Sequence, residues 1–293
     1  MRVVVFDPAR GRTLAASPAR GTGWWAGAPA VARWRGDTLL AYRLRGPRPR
    51  RGYALRLARV AAERLEPIAE VRARDIAALS IERAALVADA DVLRVYLSYA
   101  AEEDGRWRID LTELRDPAAL PEAAREPALG AASTGTESVK DPVVVPADGG
   151  WEMYASFTPR HDAADLSTGD VFATGAAPSC TGLATSADGR RWEWRGGVLV
   201  PEPGGWDAYE TRISCLLDER HALYDGIATV AENYEERTGL AVRDRARWRR
   251  VTTDAPLLDA RYAAFDGERF YFERPAPDGS HELAVADADV PLR

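Results

Sequence analysis

The chain has 293 residues, 46% of them hydrophobic and 29% charged, with a formal net charge of −6. That composition supports a sizeable buried core and excludes a disordered or fibrous chain. Its 39 basic residues against 45 acidic ones also argue against a general nucleic-acid binder, which would concentrate positive charge.

From the N-terminus, Arg2-Val3-Val4-Val5-Phe6 is β-rich, but its apolar run is far too short for a signal-peptide core. No stretch approaches the roughly 18 apolar residues of a membrane helix. Cys180 and Cys215 stand in no metal-ligand spacing, and we read them as reduced cysteines of a cytoplasmic protein without membrane partners. Strand signals dominate the remainder: short runs of Val, Ile, Leu, Tyr, Phe and Trp separated by Asp-Gly or Gly-Gly turns.

The first pair of strands is Gly27–Arg33 and Thr38–Arg43 around Arg35-Gly36-Asp37, followed by an outer strand at Tyr53–Ala58. Ile81–Val87 and Leu93–Tyr99 form the second, with Trp107–Leu111 outside them. Lys140–Val145 and Trp151–Ser156 around Asp148-Gly149-Gly150 form the third, followed by a Ser186–Trp194 hairpin turn whose Asp188 and Gly189 suit positive φ. Tyr209–Leu217 with Ala222–Asp225, and Ala260–Phe265 with Arg269–Glu273, form the fourth and fifth.

Taking Ala28, Glu82, Asp141, Glu210 and Arg261 as equivalent points, the spacings are 54, 59, 69 and 51 residues. This is the period of a propeller blade. The expected fold is an all-β, five-bladed β-propeller forming one domain over 1–293, with blades near 24–70, 79–130, 138–200, 207–252 and 258–293. The N-terminal strand at 2–7 would complete the last blade and hide its edge.

With Asp141-Pro142 and Glu210 each opening an inner strand, and with the Ser-Ala-Asp-Gly-Arg-Arg-Trp hairpin, the chain resembles the five-bladed propeller glycosidases. These include glycoside hydrolase family 43 and the invertase and levansucrase families. The resemblance spans about Trp24 to Leu283 and implies a channel mouth with an Asp base or nucleophile, a second Asp that orients substrate and tunes pKa, and a Glu general acid. Asp141 resembles the family's Asp-Pro position and Glu210 its acid. The first-blade Asp is absent, because Ala28 stands there, and Glu82 fills the second blade instead.

On this reading Glu210 and Glu82 are acid and base and Asp141 orients substrate, since glycoside cleavage needs two carboxylates, one of them kept protonated. The same three residues also suit ion pairs between blades. Arg83, Lys140, Arg212 and Arg261 stand beside these positions and suit an anionic group on a small-molecule substrate. Trp24, Trp25 and Tyr209 offer flat faces for a ring, and His161 lies in a polar stretch, 158–177, that is a candidate loop over the mouth. No metal cluster, phosphate loop or dinucleotide fingerprint appears, so neither metal nor cofactor is expected. A phosphorylase, lyase or cyclase on an anionic substrate, or an inactive ligand-binding propeller, fits the same residues.

Overall fold

The computed structural model describes residues 4–62, 64–161 and 171–291. Nearly all of its elements are β-strands in antiparallel meanders, and among the described residues no helix is long and apolar enough to cross a membrane. Trp25–Trp34, Asp37–Gly46, Arg51–Ala61 and Arg64–Arg72 pair in chain order. In the next sheet Ala78–Ile81 and Ala85–Asp89 share one partner, Val92–Ala101, followed by Trp107–Leu114 and Glu126–Leu129. Two four-stranded sheets come after it: Ser138–Ala147, Gly150–Thr158, Cys180–Ser186 and Glu193–Leu199, then Glu210–Leu216, His221–Ile227, Arg237–Asp244 and Arg247–Arg250.

The meander Arg261–Phe265, Arg269–Pro275 and His281–Asp287 joins Trp25–Trp34 by one parallel pair, His281 with Trp25. Within a meander, burial falls from the inside outward. In the first meander eight of the ten residues of Asp37–Gly46 are buried, whereas only one of Arg64–Arg72 is. This explains why the second strands read as continuous apolar runs, since both of their faces are covered.

The apolar core is distributed between neighbouring sheets. Leu39, Leu55 and Leu57 pack on Leu86, Val95 and Leu97. Ile109 and Leu111 pack on Val139 and Met153. Leu183 and Leu199 meet Ile213 and Tyr224, Leu223 and Leu240 meet Phe270 and Phe272, and Tyr271, Leu283 and Val285 meet Leu40, Tyr42 and Leu44. The turns follow sequence chemistry: Arg35 and Gly36 both take positive φ, and Asp188 Oδ1 accepts from the amides of Arg190 and Arg191 at 2.8 and 2.9 Å.

The N-terminal pairing is more divided than the sequence suggests. Val4–Val5 pairs with Val290–Pro291, while the strand added to His281–Asp287 is Arg12–Ala15. Phe6 between them is fully buried against Phe270 and Phe272, with centroids 4.8 and 4.6 Å away. Phe6→Ala is expected to cost about 3–5 kcal/mol by opening a cavity. Urea denaturation checks this; a loss under about 1 kcal/mol would show that the segment anchors nothing.

Candidate functional site

Cross-strand register defines two layers of residues around the centre. Gly27 faces Arg43, Glu82 N–H donates to Ser98 O, Lys140 faces Ser156, Arg212 faces Asp225 and Arg261 faces Glu273. These ten residues hold one repeat position. Two residues closer to the mouth, Trp25 faces Arg45, Ser80 faces Ala100, Ser138 faces Thr158 and Glu210 faces Ile227. Glu82, Asp141 and Glu210 are therefore not equivalent, as the sequence spacing had suggested. Glu82 shares the layer of Lys140, Glu210 stands one layer nearer the mouth, and Asp141 lies one residue deeper.

Asp141 reaches the same space as Lys140 because the strand bulges. Register shifts follow Gly27, Lys140 and Arg261, and the next residues, Ala28, Asp141 and Tyr262, have φ of 51°, 54° and 52°. An ordinary strand would send neighbours to opposite faces, and a left-handed residue at a bulge re-aims its side chain. Such conformations are costly for residues with a Cβ and are found where the surroundings enforce them. Arg261 thus matches Lys140, and Tyr262 rather than Arg261 matches Asp141.

The site is an ion-pair network with Arg212 at its hub. The Arg212 guanidinium lies 2.9 Å from Glu210, 3.1 Å from Asp225, 3.7 Å from Asp141 and 3.8 Å from Glu236, and it stacks 3.9 Å from the Tyr262 ring centre. Nη1 of this one side chain faces both Glu210 and Asp141. Lys140 Nζ lies 3.4 Å from Asp141. The chain of charges continues through Arg261, paired with Glu236 and with Glu273 at 3.1 Å, to Arg43, which bridges Glu273 and Glu82.

Burial divides the two carboxylates that share Arg212. It pushes the Glu210 carboxyl up to about 7, Arg212 and Lys140 only partly opposing it while Glu236 and Asp141 add to it. Glu210 Oε1 makes no well-directed hydrogen bond despite its nearness to Arg212. Burial also works to raise Asp141, but Lys140 and Arg212 outweigh it and hold this carboxyl below the usual range. Two carboxylates under one guanidinium thus differ in protonation near neutral pH, the separation that acid/base chemistry requires.

Three of the expected binding residues serve other ends. Arg83 closes the deep end of the channel, its guanidinium donating to the carbonyls of Pro29, Ser214 and Ala263 at 3.0, 2.6 and 3.2 Å. Trp24 stands just before the strand Trp25–Trp34 and lies under Arg50, whose guanidinium is 5.4 Å from its ring centre. Tyr209 donates to Phe172 O at 3.0 Å and accepts from Gly175 N–H at 3.2 Å, fastening that segment. His161 makes no hydrogen bond among the described residues, and the rest of the expected loop over 162–170 lies outside them. Lys140 is covered by Trp107 and Phe172, 5.4 and 4.7 Å from the ring centres.

Sequence reading missed the second-strand members Arg43, Asp225 and Glu273, and also Arg45, Tyr234, Glu236 and His281. A usable signal was present: Ser98, Ser156 and Glu273 each stand two residues after a tyrosine of the second strand. Trp25, Arg45, Tyr234, Glu236, Arg261 and His281 line part of a cavity of about 880 Å³ beside the network.

No protein-family model and no curated protein sequence matches the chain. Among solved structures, it is similar to a β-1,2-mannobiose phosphorylase from Listeria innocua bound to β-1,2-mannobiose, at 16% identity and a TM-score of 0.63 over 96% of this chain and 94% of that one. It is also similar to a putative glycoside hydrolase from Parabacteroides distasonis, at 12% identity and a TM-score of 0.65 over 100% and 98% of the two chains. A GH43_1 enzyme from Xanthomonas citri in complex with xylotriose gives 13% identity and a TM-score of 0.62 over 94% and 90%. The chain shares the fold of these sugar-processing proteins, which is the fold its sequence resemblance implied.

Two measurements test the site. The folded Glu210 value of about 7 lies above its ordinary 4.5, so between these values the folded chain keeps a proton that the unfolded chain has lost. Stability contributed by that proton is complete below about 4.5 and disappears as pH rises through about 7. Denaturation from pH 4 to 9 should show wild type losing on the order of 1–3 kcal/mol relative to Glu210→Gln across this window; parallel curves would refute it. Arg83→Met should cost about 2–5 kcal/mol by stranding three carbonyls. An unchanged denaturation midpoint would show that Arg83 is not the plug.

Proposed function

We propose that the chain is a glycoside-processing enzyme acting by carboxylate acid/base catalysis on a small sugar substrate. The observation that carries this reading is the pair Glu210 and Asp141 on one nitrogen of Arg212, one carboxyl poised near 7 and the other held ionised. In this scheme Glu210 protonates the leaving oxygen as its bond to the anomeric carbon breaks, water adds to that carbon and returns a proton to Glu210, and Asp141 acts as the ionised partner facing the positive charge that develops on the sugar. Glu82, the base expected from sequence, is bound to Arg43 and reaches the hub through Glu273 and Arg261. We therefore assign it a positioning role.

We read the architecture as a single five-bladed domain, counting the parallel His281–Trp25 joint as a boundary between blades. The five apolar clusters between successive meanders support that count, and the cluster joining Tyr271 and Leu283 to Leu40 and Tyr42 supports closure of the ring. Similarity to proteins described as mannoside phosphorylases and glycoside hydrolases supports a sugar substrate.

A non-hydrolytic reaction such as phosphorolysis is a second reading, favoured by the arginine-rich mouth and by the likeness to a mannobiose phosphorylase. Purified chain should be screened against aryl furanosides, aryl pyranosides and β-linked disaccharides, with and without inorganic phosphate. At least one should turn over, with Glu210→Gln and Asp141→Asn each lowering the rate about 10²-fold or more. Turnover only with phosphate selects the second reading, and silence across the panel overturns both.

A further inference from the structure

We infer that the cavity beside the charge network receives a sugar bearing a carboxylate, and that Arg45 is the group that grips it. This names the substrate class for the sugar-processing reading above and rests on it. Arg45 is 4% exposed and belongs to the cavity lining. Its guanidinium is held between two rings, 3.9 Å from the centre of Trp25 and 4.4 Å from that of Tyr234, and Nη2 donates to the Tyr234 hydroxyl at 3.0 Å.

The inner arginines around it are neutralised by carboxylates: Arg43 by Glu82 and Glu273, Arg212 by four acids, Arg261 by Glu236 and Glu273. Arg45 has no carboxylate partner among the described residues, its polar contact being the Tyr234 hydroxyl, which burial pushes up but Arg45, Arg51 and Arg48 draw below its ordinary value. Burying a guanidinium without a counter-charge is expensive. Burial, joined by the nearby Arg43 and Arg261 and opposed by Tyr234, pulls Arg45 down to about 10. A ligand anion at this point would relieve that cost, which gives the cavity a preference for negative charge.

The form of the anion follows from the walls. Trp25, itself buried and stacked on His281, and Tyr234 brace the Arg45 guanidinium from its two sides, and a planar guanidinium held this way matches a planar carboxylate through parallel hydrogen bonds. Glu232, Glu235, Glu236 and Asp259 line the same cavity and match in number its arginines, Arg45, Arg48, Arg237 and Arg261, so the cavity holds no excess of positive charge for a doubly charged group. These features favour a uronate over a phosphate.

Calorimetric titration of wild type, Arg45→Met, Arg45→Lys and Tyr234→Phe with methyl glucuronide, methyl galacturonide, methyl glucoside and inorganic phosphate tests the assignment. Wild type should bind a uronide at least about tenfold more tightly than the neutral glucoside or phosphate. Arg45→Met should lose that preference, with Arg45→Lys and Tyr234→Phe in between. Because an uncompensated cation is removed, the melting temperature of Arg45→Met should equal or exceed that of wild type. Equal binding of glucoside and uronide, tighter binding of phosphate, no binding of any uronide, or an Arg45→Met chain that melts well below wild type or fails to fold would each overturn the proposal. Titration reads binding without turnover, so a chain that binds uronides and processes none leaves this assignment standing and sinks only the catalytic reading.

Discussion

The structure depends on how charge is kept in a place that excludes water. Inner strands from successive sheets converge on a narrow space, and the residues that face it include Glu82, Asp141, Glu210, Asp225, Glu236 and Glu273. Left alone, six buried acids would repel one another or take up protons. Arg212 prevents this by meeting four of them at once, braced against Tyr262, while Arg261, Arg43 and Lys140 extend the compensation outward. The balance is uneven, and that unevenness leaves Glu210 poised near neutrality beside an ionised Asp141.

The backbone contributes as much as the charges. At Asp141 a bulge and a left-handed conformation let two consecutive residues, Lys140 and Asp141, enter the same space. The same device at Tyr262 presents a ring under Arg212, and at Ala28 it turns an amide toward Glu273, donating at 3.0 Å. Gly27 leaves room for this carboxylate, since a Cβ there would clash with Glu273 Oε2. One backbone irregularity, repeated in the first strands of three meanders, thus supplies an acid, a ring and a hydrogen-bond donor.

The accessible face of the site lies off to one side. Phe172 and Trp107 cover Lys140, whereas the cavity opens along Trp25, Arg45, Tyr234 and His281. The His281 ring stacks 4.6 Å from Trp25 and its Nδ1 lies 2.7 Å from Glu273, so the cavity wall and the charge network are mechanically one piece.

Much of this was legible in the sequence. Alternating apolar runs, Asp-Gly turns and a spacing of fifty to seventy residues carry the strands and their repetition, because a strand's burial and a turn's φ are local properties. The charged positions Glu82, Lys140, Asp141, Glu210, Arg212 and Arg261 were also visible, since they break apolar strands where polarity must have a reason. Their relative depth was not visible. A bulge shifts register by one residue without a sequence mark of its own, so spacing placed three carboxylates at one level that the fold distributes over three. The partners Arg43, Asp225, Glu236 and Glu273, the diversion of Arg83 to backbone carbonyls, and the lack of a carboxylate beside Arg45 among the described residues were decided by tertiary structure alone. Each depends on side chains from different sheets meeting in one desolvated space, where distance and burial, rather than residue type, determine which charges are neutralised.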